Sequence, residues 1–357
     1  MWLISNLKRD VMYRTWTFFG LAFALILGQS ANAQPSSLTS EFDIRTNSRA
    51  VSPDERTVVA SSSESPDVIV YDLEARKVRG VLNHFITPRN ILFEPAGRFF
   101  YISDSTLGVV EKIDAASLKT ISVLHASPGA FGIAISKDGR TLYVSNEEAS
   151  LVWAFDLVSE RPIALTTAYS QLSEGAQLWR ESSQLYVIDF WNDKIKIVDT
   201  AANRISGEIS GFHKIRAISI TRDGKTIFAA NSGTNSIAVV DVLSRSIMKQ
   251  IPVGSAPQSV ALSPDERFVY SGNPADHTIS IVALSSCQVV STISGFLEPT
   301  QAIVFTQGSS EGYVPGGNDS SSCVNLGTNS IAHKLPLTRA LRCHAFRRRK
   351  ENSHDIR

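Results

Sequence analysis

The sequence predicts an all-β protein, a seven-bladed β-propeller with four antiparallel strands in each blade. A strand centred on an aromatic residue or valine returns every 42 or 43 residues along the 357-residue chain. Short runs of β-type residues flank these strands, and turns of the Pro-Asp or Asp-Gly kind separate them. The strand centres are Val59, Tyr101, Tyr143, Tyr186, Phe228, Tyr270 and Tyr313. A fixed period near forty residues with β-type composition is typical of propellers, in which each repeat forms one blade.

The fifth repeat shows the order of the elements within one blade. Residues 215–221 alternate large and small side chains and are predicted to form the innermost strand, strand a. Residues 226–230, 236–242 and 247–253 are predicted as strands b, c and d, with strand d on the outside. Gly224 lies in the turn between strands a and b, where glycine can adopt the left-handed backbone conformation.

The turn between strands a and b contains an aspartate in most of the repeats. It reads Ser52-Pro53-Asp54-Glu55, Glu94-Pro95-Ala96-Gly97, Ser136-Lys137-Asp138-Gly139, Arg222-Asp223-Gly224-Lys225 and Ser263-Pro264-Asp265-Glu266. Carboxylates in this pattern resemble metal ligands or catalytic acids. Their constant place in a hairpin predicts instead that each side-chain oxygen caps the turn.

The first 33 residues are predicted to be a signal peptide. Lys8, Arg9 and Arg14 form a basic start, and an apolar run of about ten residues follows at 18–27. This run is shorter than the roughly 20 residues that a membrane-spanning helix needs. Ala-Asn-Ala at 31–33 fits the small-x-small cleavage rule. We therefore expect a periplasmic or secreted protein with no transmembrane segment in the mature chain, and an uncleaved anchor is the alternative.

The repeats predict one propeller over residues 34–337, followed by a basic tail. Blade seven, residues 300–337, matches the repeat poorly and is predicted to be eroded. Residues 338–357 have no strand pattern and a net charge of +5, so we expect a disordered tail. The abrupt change of composition leaves open a truncated or frame-shifted copy.

The charge of the ring limits its partners. The formal net charge of the chain is +1, but residues 34–337 hold 25 basic and 31 acidic side chains, a net charge of −6. Binding to nucleic acid depends on Lys and Arg that neutralise phosphates. We therefore expect no nucleic-acid partner. The expected partner of this ring, which we predict to be a monomer, is a protein or a small anionic ligand.

The three cysteines exclude two kinds of cofactor site. Cys287, Cys323 and Cys343 form no Cys-x-x-Cys or Cys-x-x-Cys-His motif, which excludes covalent c-type haem and cysteine-rich zinc sites. A bridge between Cys287 and Cys323 is compatible with an oxidising compartment, and the spacing leaves it open.

Two segments carry a resemblance to a known family. Tyr143-Val144-Ser145-Asn146 and the stretch from Ile251-Pro252-Val253-Gly254 to Ser263-Pro264-Asp265 are similar to the repeat of the YVTN-type propellers, which reads Tyr-Val-Thr-Asn, Ile-Pro-Val-Gly and Ser-Pro-Asp-Gly. The resemblance covers residues 46–306. It implies an exported propeller with WD40-like repeats. It also implies kinship with bacterial lactonases of the phosphogluconolactonase type and with heavy subunits of periplasmic amine dehydrogenases.

The best candidate site is a polar ring at the heads of the innermost strands. Two arginines, one acid and three amides, with one phenylalanine, stand twelve residues before the strand centres, at Asn47, Arg89, Phe131, Glu174, Arg216, Gln258 and Gln301. The functional interpretation is a pocket for a small anionic or carbonyl-bearing ligand, in which Arg89 and Arg216 clamp a carboxylate or phosphate. Glu174 would then serve as a general base. The alternative is a solvated channel mouth in which Glu174 pairs with an arginine.

Other side chains of the same face are weaker candidates. Trp191 and its neighbour Phe190 form an exposed aromatic pair that could stack on a ligand or receive a protein. His84, His125 and His213 lie in connectors between blades and would bind a divalent metal only if they converged. We predict no cofactor, with a divalent metal as the open alternative.

Three functions remain compatible with the sequence. The first, and the one that we predict, is a non-catalytic binding or interaction module that uses the loop-rich face, and the other two are alternatives. The second is a lactonase-like hydrolase in which Glu174, Arg89 and Arg216 act on a small anionic lactone. The third is a subunit or relative of a periplasmic redox enzyme that holds no cofactor of its own. One fold hosts many functions, so the repeat itself does not choose among them.

Overall fold

The computed structural model describes residues 48–61, 66–75, 77–136, 138–146, 148–149, 151–167, 176–178, 183–296, 299, 303–305, 311–316 and 320–336. Their strands form seven antiparallel sheets of four strands, each built from one continuous stretch of chain. This confirms the predicted seven-bladed propeller. The predicted signal peptide and the predicted tail lie outside the described residues.

The first four blades contain sixteen strands, numbered from the innermost strand outward in each blade. They are Arg49–Val51 (β1), Thr57–Ser61 (β2), Val68–Asp72 (β3) and Lys77–Leu82 (β4) in blade one, Pro88–Phe93 (β5), Phe99–Asp104 (β6), Val109–Asp114 (β7) and Thr120–His125 (β8) in blade two, Ala130–Ile135 (β9), Thr141–Asn146 (β10), Leu151–Asp156 (β11) and Arg161–Thr167 (β12) in blade three, and Ala176–Leu178 (β13), Gln184–Asp189 (β14), Lys194–Asp199 (β15) and Arg204–Ile209 (β16) in blade four.

The remaining blades follow the same order, and two of their b–c loops form single 3₁₀ turns. The strands are Ile215–Ile220 (β17), Thr226–Asn231 (β18), Ser236–Asp241 (β19) and Ser246–Pro252 (β20) in blade five, Ser259–Leu262 (β21), Phe268–Asn273 (β22), Thr278–Ala283 (β23) and Gln288–Ser294 (β24) in blade six, and Val304–Phe305 (β25), Glu311–Gly316 (β26), Ser320–Asn325 (β27) and Ser330–Pro336 (β28) in blade seven. The 3₁₀ turns are Ser232–Thr234 and Pro274–Asp276.

The core lies between blades rather than within them. Each of the seven strand centres predicted from the repeat is buried in the second strand of its blade. Tyr186, for example, packs with Ile215 and Ile227 in a cluster that joins blades four and five. Further clusters join the other successive pairs from blade one to blade seven. Because blades two to six each share a cluster with both neighbours, a blade depends on its neighbours for burial.

Blade seven keeps four strands despite its weak match to the repeat. Its innermost strand, β25, is only two residues long, and Phe305 in that strand meets the ring of Tyr270 in blade six edge to face at 5.1 Å. Strand β25 also contacts β1 of blade one. These contacts close the ring.

The prediction that the turn aspartates are caps is confirmed. Asp54 Oδ1 accepts the Ser52 hydroxyl at 2.5 Å and the Arg56 amide at 3.1 Å, and the Ser52 hydroxyl in turn accepts the Thr57 amide at 2.9 Å. The same three bonds recur around Asp138, Asp223 and Asp265. The side-chain hydroxyl bond is the main reason that the pKa of each of these four carboxyls lies below its usual value.

The two cysteines of the described region lie in neighbouring blades. Cys287 is a free thiol in the turn before β24, and it donates to the Leu284 carbonyl at 3.5 Å. Cys323 is buried in β27. The bridge between Cys287 and Cys323 that the sequence left open is therefore not formed. The residues that the structure describes include no helix with the length and apolar character needed to cross a membrane.

Candidate functional site

In a propeller the b–c loops and the d–a connectors lie on one face, around the mouth of the central channel, and such convergent loops are the usual site of function on a rigid scaffold. Four members of the predicted polar ring fall within the described residues at this level: Arg89, Phe131, Arg216 and Gln258. Each lies at or next to the start of an innermost strand. Asn47, Glu174 and Gln301 lie outside the described residues.

Arg89 is held between two blades. It is the second residue of β5 and is half-buried. Its Nε–H donates to the hydroxyl of Ser105 at 3.0 Å, and its guanidinium carbon lies 5.4 Å from the centre of the Phe131 ring in blade three. The structure therefore brings together two predicted ring residues, Arg89 and Phe131, with Ser105 as a third partner.

Arg216 is held in a similar way by a different loop. It is half-buried in β17 of blade five, and its guanidinium carbon lies 4.3 Å from the centre of the Phe190 ring in the b–c loop of blade four. The Trp191 ring packs edge to face against Phe190, with 5.5 Å between the ring centres, and Trp191 is 41% exposed. The predicted aromatic pair is thus a support for an arginine as well as an exposed surface.

The two arginines turn toward the same part of the ring. Arg89, in blade two, leans forward onto blade three, whereas Arg216, in blade five, leans back onto blade four. A guanidinium close to an aromatic ring gains cation–π stabilisation, and its planar set of N–H donors matches the geometry of a carboxylate or phosphate. Gln258 lies apart from this sector in blade six, and its backbone amide donates to the Gly272 carbonyl at 3.0 Å.

A second set of polar residues, which the sequence analysis did not single out, lies directly before the b–c loops of five blades. These residues end the second strands and are almost fully buried, and they are Asp104, Asn146, Asp189, Asn231 and Asn273. Asp104 accepts the amides of Ile86 and Thr87 in the preceding connector, at 2.6 and 3.0 Å. The repeat could have revealed this set, since an Asp or Asn occurs three residues after five of the seven strand centres.

Arg49 is a further residue that the sequence analysis missed, because it occupies a position that is aliphatic in the other blades. Ten residues before the strand centres the other blades carry Ile, Val or Ala, and blade one carries Arg49. Its side chain is buried, with only 8% of the residue exposed. The equivalent Ile91 packs against the preceding blade, so this register position in blade one belongs to the seam with blade seven.

The three predicted histidines do not come together in a metal site. His84 Nε2 lies 2.8 Å from Oε2 of Glu111, a carboxylate that is buried in β7 and also accepts the Thr120 hydroxyl at 2.8 Å. His125 ends β8 and His213 lies before β17, both exposed. In the part of the chain that the structure describes, no three His, Cys, Asp or Glu side chains form a group able to hold a metal ion.

The described residues thus form a seven-bladed propeller with arginine and aromatic side chains at the heads of innermost strands and in the loops beside them. The chain matches the family described as Lactonase, 7-bladed beta-propeller over residues 45–177 and 182–302. It therefore belongs to this family, and the kinship with lactonase-type propellers that the resemblance implied is confirmed.

Two individual proteins show how far the likeness extends. The chain is 33% identical over 143 residues to the 6-phosphogluconolactonase of Pectobacterium carotovorum subsp. carotovorum (strain PC1), an alignment that covers 35% of this chain and 42% of that protein. The chain thus spans less than half the length of this relative. It is also similar to Kuenenia stuttgartiensis hydrazine synthase, with a TM-score of 0.71, 16% identity, and 83% of this chain and 99% of the other covered. At that identity the likeness shows the fold alone.

Proposed function

We propose that this protein binds a small anionic lactone at the channel mouth and hydrolyses it. The observation that carries the proposal is the pair of arginines that lean toward blades three and four, each seated on an aromatic ring. Membership of the lactonase family and the similarity to a 6-phosphogluconolactonase support the choice of a lactone over other anions.

The chemistry would need one base and one cation. Glu174, at the head of blade four by its place in the repeat, would take a proton from water as the water oxygen bonds to the lactone carbonyl carbon. An arginine would stabilise the negative charge on the carbonyl oxygen. Cleavage of the ring C–O bond then returns the proton to the ring oxygen, and the product is a hydroxy acid. The other arginine would hold the anionic group that the substrate already carries.

A non-catalytic binding module is the second candidate. Guanidinium and aromatic side chains, the groups that the described residues place at the mouth, are binding groups rather than proton-transfer groups. A protein of this kind would hold the same anion without converting it. Export to the periplasm or medium remains our proposal for its location, on the strength of the first 33 residues.

The experiment is a pH-stat assay with the purified full chain and a panel of lactones that includes glucono-δ-lactone and its phosphorylated form. Ring opening releases one proton per turnover at neutral pH. We expect Glu174→Gln to lower kcat by about 100-fold or more, in the range of general acid–base catalysis. Arg216→Ala should lower kcat/KM by about 10–100-fold, since it removes a charge-assisted contact.

Lys249→Ala is the matched control, because Lys249 is an exposed cation on the outer strand β20, away from the mouth. Its removal should leave the rates unchanged. Turnover that survives Glu174→Gln would remove the hydrolase mechanism. Saturable binding of the hydroxy acid without turnover of any lactone would favour the binding module instead.

A further inference from the structure

The loop that carries Ser105 is fixed on both sides. The Ser105 amide donates to the Thr87 carbonyl in the connector that enters blade two, at 3.1 Å. Its carbonyl accepts the Gly129 amide in the connector that enters blade three, at 2.7 Å. The buried carboxylate of Asp104 ties the same loop to Ile86 and Thr87. Ser105 itself is 8% exposed, so its hydroxyl has a defined position.

From this position the Ser105 hydroxyl sets the orientation of Arg89. It accepts the Nε–H of Arg89 at 3.0 Å while the Phe131 ring lies against the guanidinium at 5.4 Å. The Phe131 backbone is held as well, since its carbonyl accepts the Ser103 hydroxyl at 2.5 Å. The Ser105 hydroxyl and the Phe131 ring together fix the direction of the Arg89 guanidinium.

We propose that Ser105 is a positioning residue for anion binding, which prepares Arg89 for a carboxylate or phosphate before the ligand arrives. This inference rests on the proposed anion site. An arginine that must be ordered on binding loses rotamer entropy, and a side chain that is already ordered does not. Arg216 lies on Phe190, and the serine that corresponds to Ser105 in blade five, Ser232, makes no side-chain hydrogen bond among the described residues.

The test is calorimetric titration of the full chain with gluconate and with inorganic phosphate. Ser105→Ala should raise the Kd of the anion about 2–10-fold, the cost of ordering one long side chain. Ser105→Thr, which keeps the hydroxyl, should restore the affinity. Ser232→Ala is the matched control and should leave it unchanged. If a lactone is turned over, Ser105→Ala should raise KM and leave kcat close to that of the parent, because the lost binding is shared by ground state and transition state.

A readout in the unliganded protein separates positioning from a loss of structure. The Nε–H of Arg89 should exchange slowly with solvent in the parent protein and faster in Ser105→Ala, as followed by NMR, while the thermal transition stays cooperative. Loss of affinity in Arg89→Ala without any change in Ser105→Ala would overturn the role of Ser105 and leave the anion site intact. Unchanged binding in both Arg89→Ala and Arg216→Ala, or no binding of either probe by the parent, would overturn both.

Discussion

Glu55 adopts a backbone conformation that three other blades assign to glycine. Its φ is 61°, and the equivalent turn positions are Gly97, Gly139 and Gly224, with φ of 72°, 68° and 68°. One oxygen of the Glu55 carboxylate is also buried with no hydrogen-bond partner among the described residues. A side chain in the left-handed region costs about 1 kcal/mol, and a buried polar atom without a partner adds to that cost.

We therefore expect Glu55→Gly to stabilise the propeller by about 1 kcal/mol, a rise of about 2 °C in Tm, as measured by thermal or urea unfolding. Gly139→Ala is the reverse control. A Cβ at Gly139 would have open space, with Pro95 Cδ nearest at 4.0 Å, so only the backbone conformation is tested. It should destabilise by a similar amount. A loss of stability in Glu55→Gly would show that the glutamate makes a contact that outweighs its backbone strain.

The positions of the site residues could be predicted from the repeat, but only for features that all blades share. The alignment of blades placed Arg89, Phe131 and Arg216 at one level, and all three lie there. It did not show that Arg89 leans forward and Arg216 leans back, because that depends on which neighbouring loop offers an aromatic ring. The role of the Ser105 hydroxyl was missed for the same reason, since its hydrogen bond depends on how Arg89 is oriented and not on the presence of a serine at this position.

Among the elements, the outer hairpin of blade four contains a carboxylate that two lysines share. Glu208 in β16 accepts Lys194 and Lys196 of β15, each at 2.6 Å. These bonds lower its pKa from 4.5 to about 2. A lowered folded-state pKa contributes stability above the unfolded-state value, and that contribution is lost as the pH falls through the folded-state value.

Glu208→Gln should accordingly lower Tm by about 1 °C at pH 6, a small effect because the pair is well exposed and screened by solvent. The difference from the parent should shrink between pH 4.5 and pH 2 and vanish below it. Melts over a series of pH values at constant ionic strength measure this. A difference that stays constant down to pH 2 would mean that the lysines do not act through the charge of Glu208.

The strands were predictable from their period, whereas the outer turns were not. In blades two to seven, the turn from strand c to strand d ends on a residue with positive φ, at Leu118, Glu160, Asn203, Arg245, Cys287 and Asn329. The ladder shifts register just before each of the six turns. Each is a hairpin loop of four or five residues beside a bulge in the strand ladder. Only asparagine, at two of the six positions, is a residue that favours this conformation, so the pattern carried little signal.

At the scale of the molecule, the packing between blades predicts that the ring unfolds as one unit. Ile281 is fully buried in β23 and belongs to the cluster that joins blades six and seven. Ile281→Ala should cost about 2–5 kcal/mol and lower Tm by roughly 5–10 °C in a single transition. Val290→Ala, on the outer strand of the same blade at 53% exposure, should be nearly neutral. Two separate transitions in Ile281→Ala would mean that blade seven melts on its own.

Each sheet is built from one continuous segment of the chain, so a whole blade can be replaced as a unit. The residues that would meet a ligand stand at the heads of innermost strands and in the loops beside them, and the residues that seal a blade to its neighbour lie one or two positions deeper. Ligand recognition and packing between blades therefore depend on different positions of the same 42-residue repeat. Replacing one blade with the equivalent blade of a related propeller could therefore change which anion is bound. The packing against the two neighbouring blades would be retained.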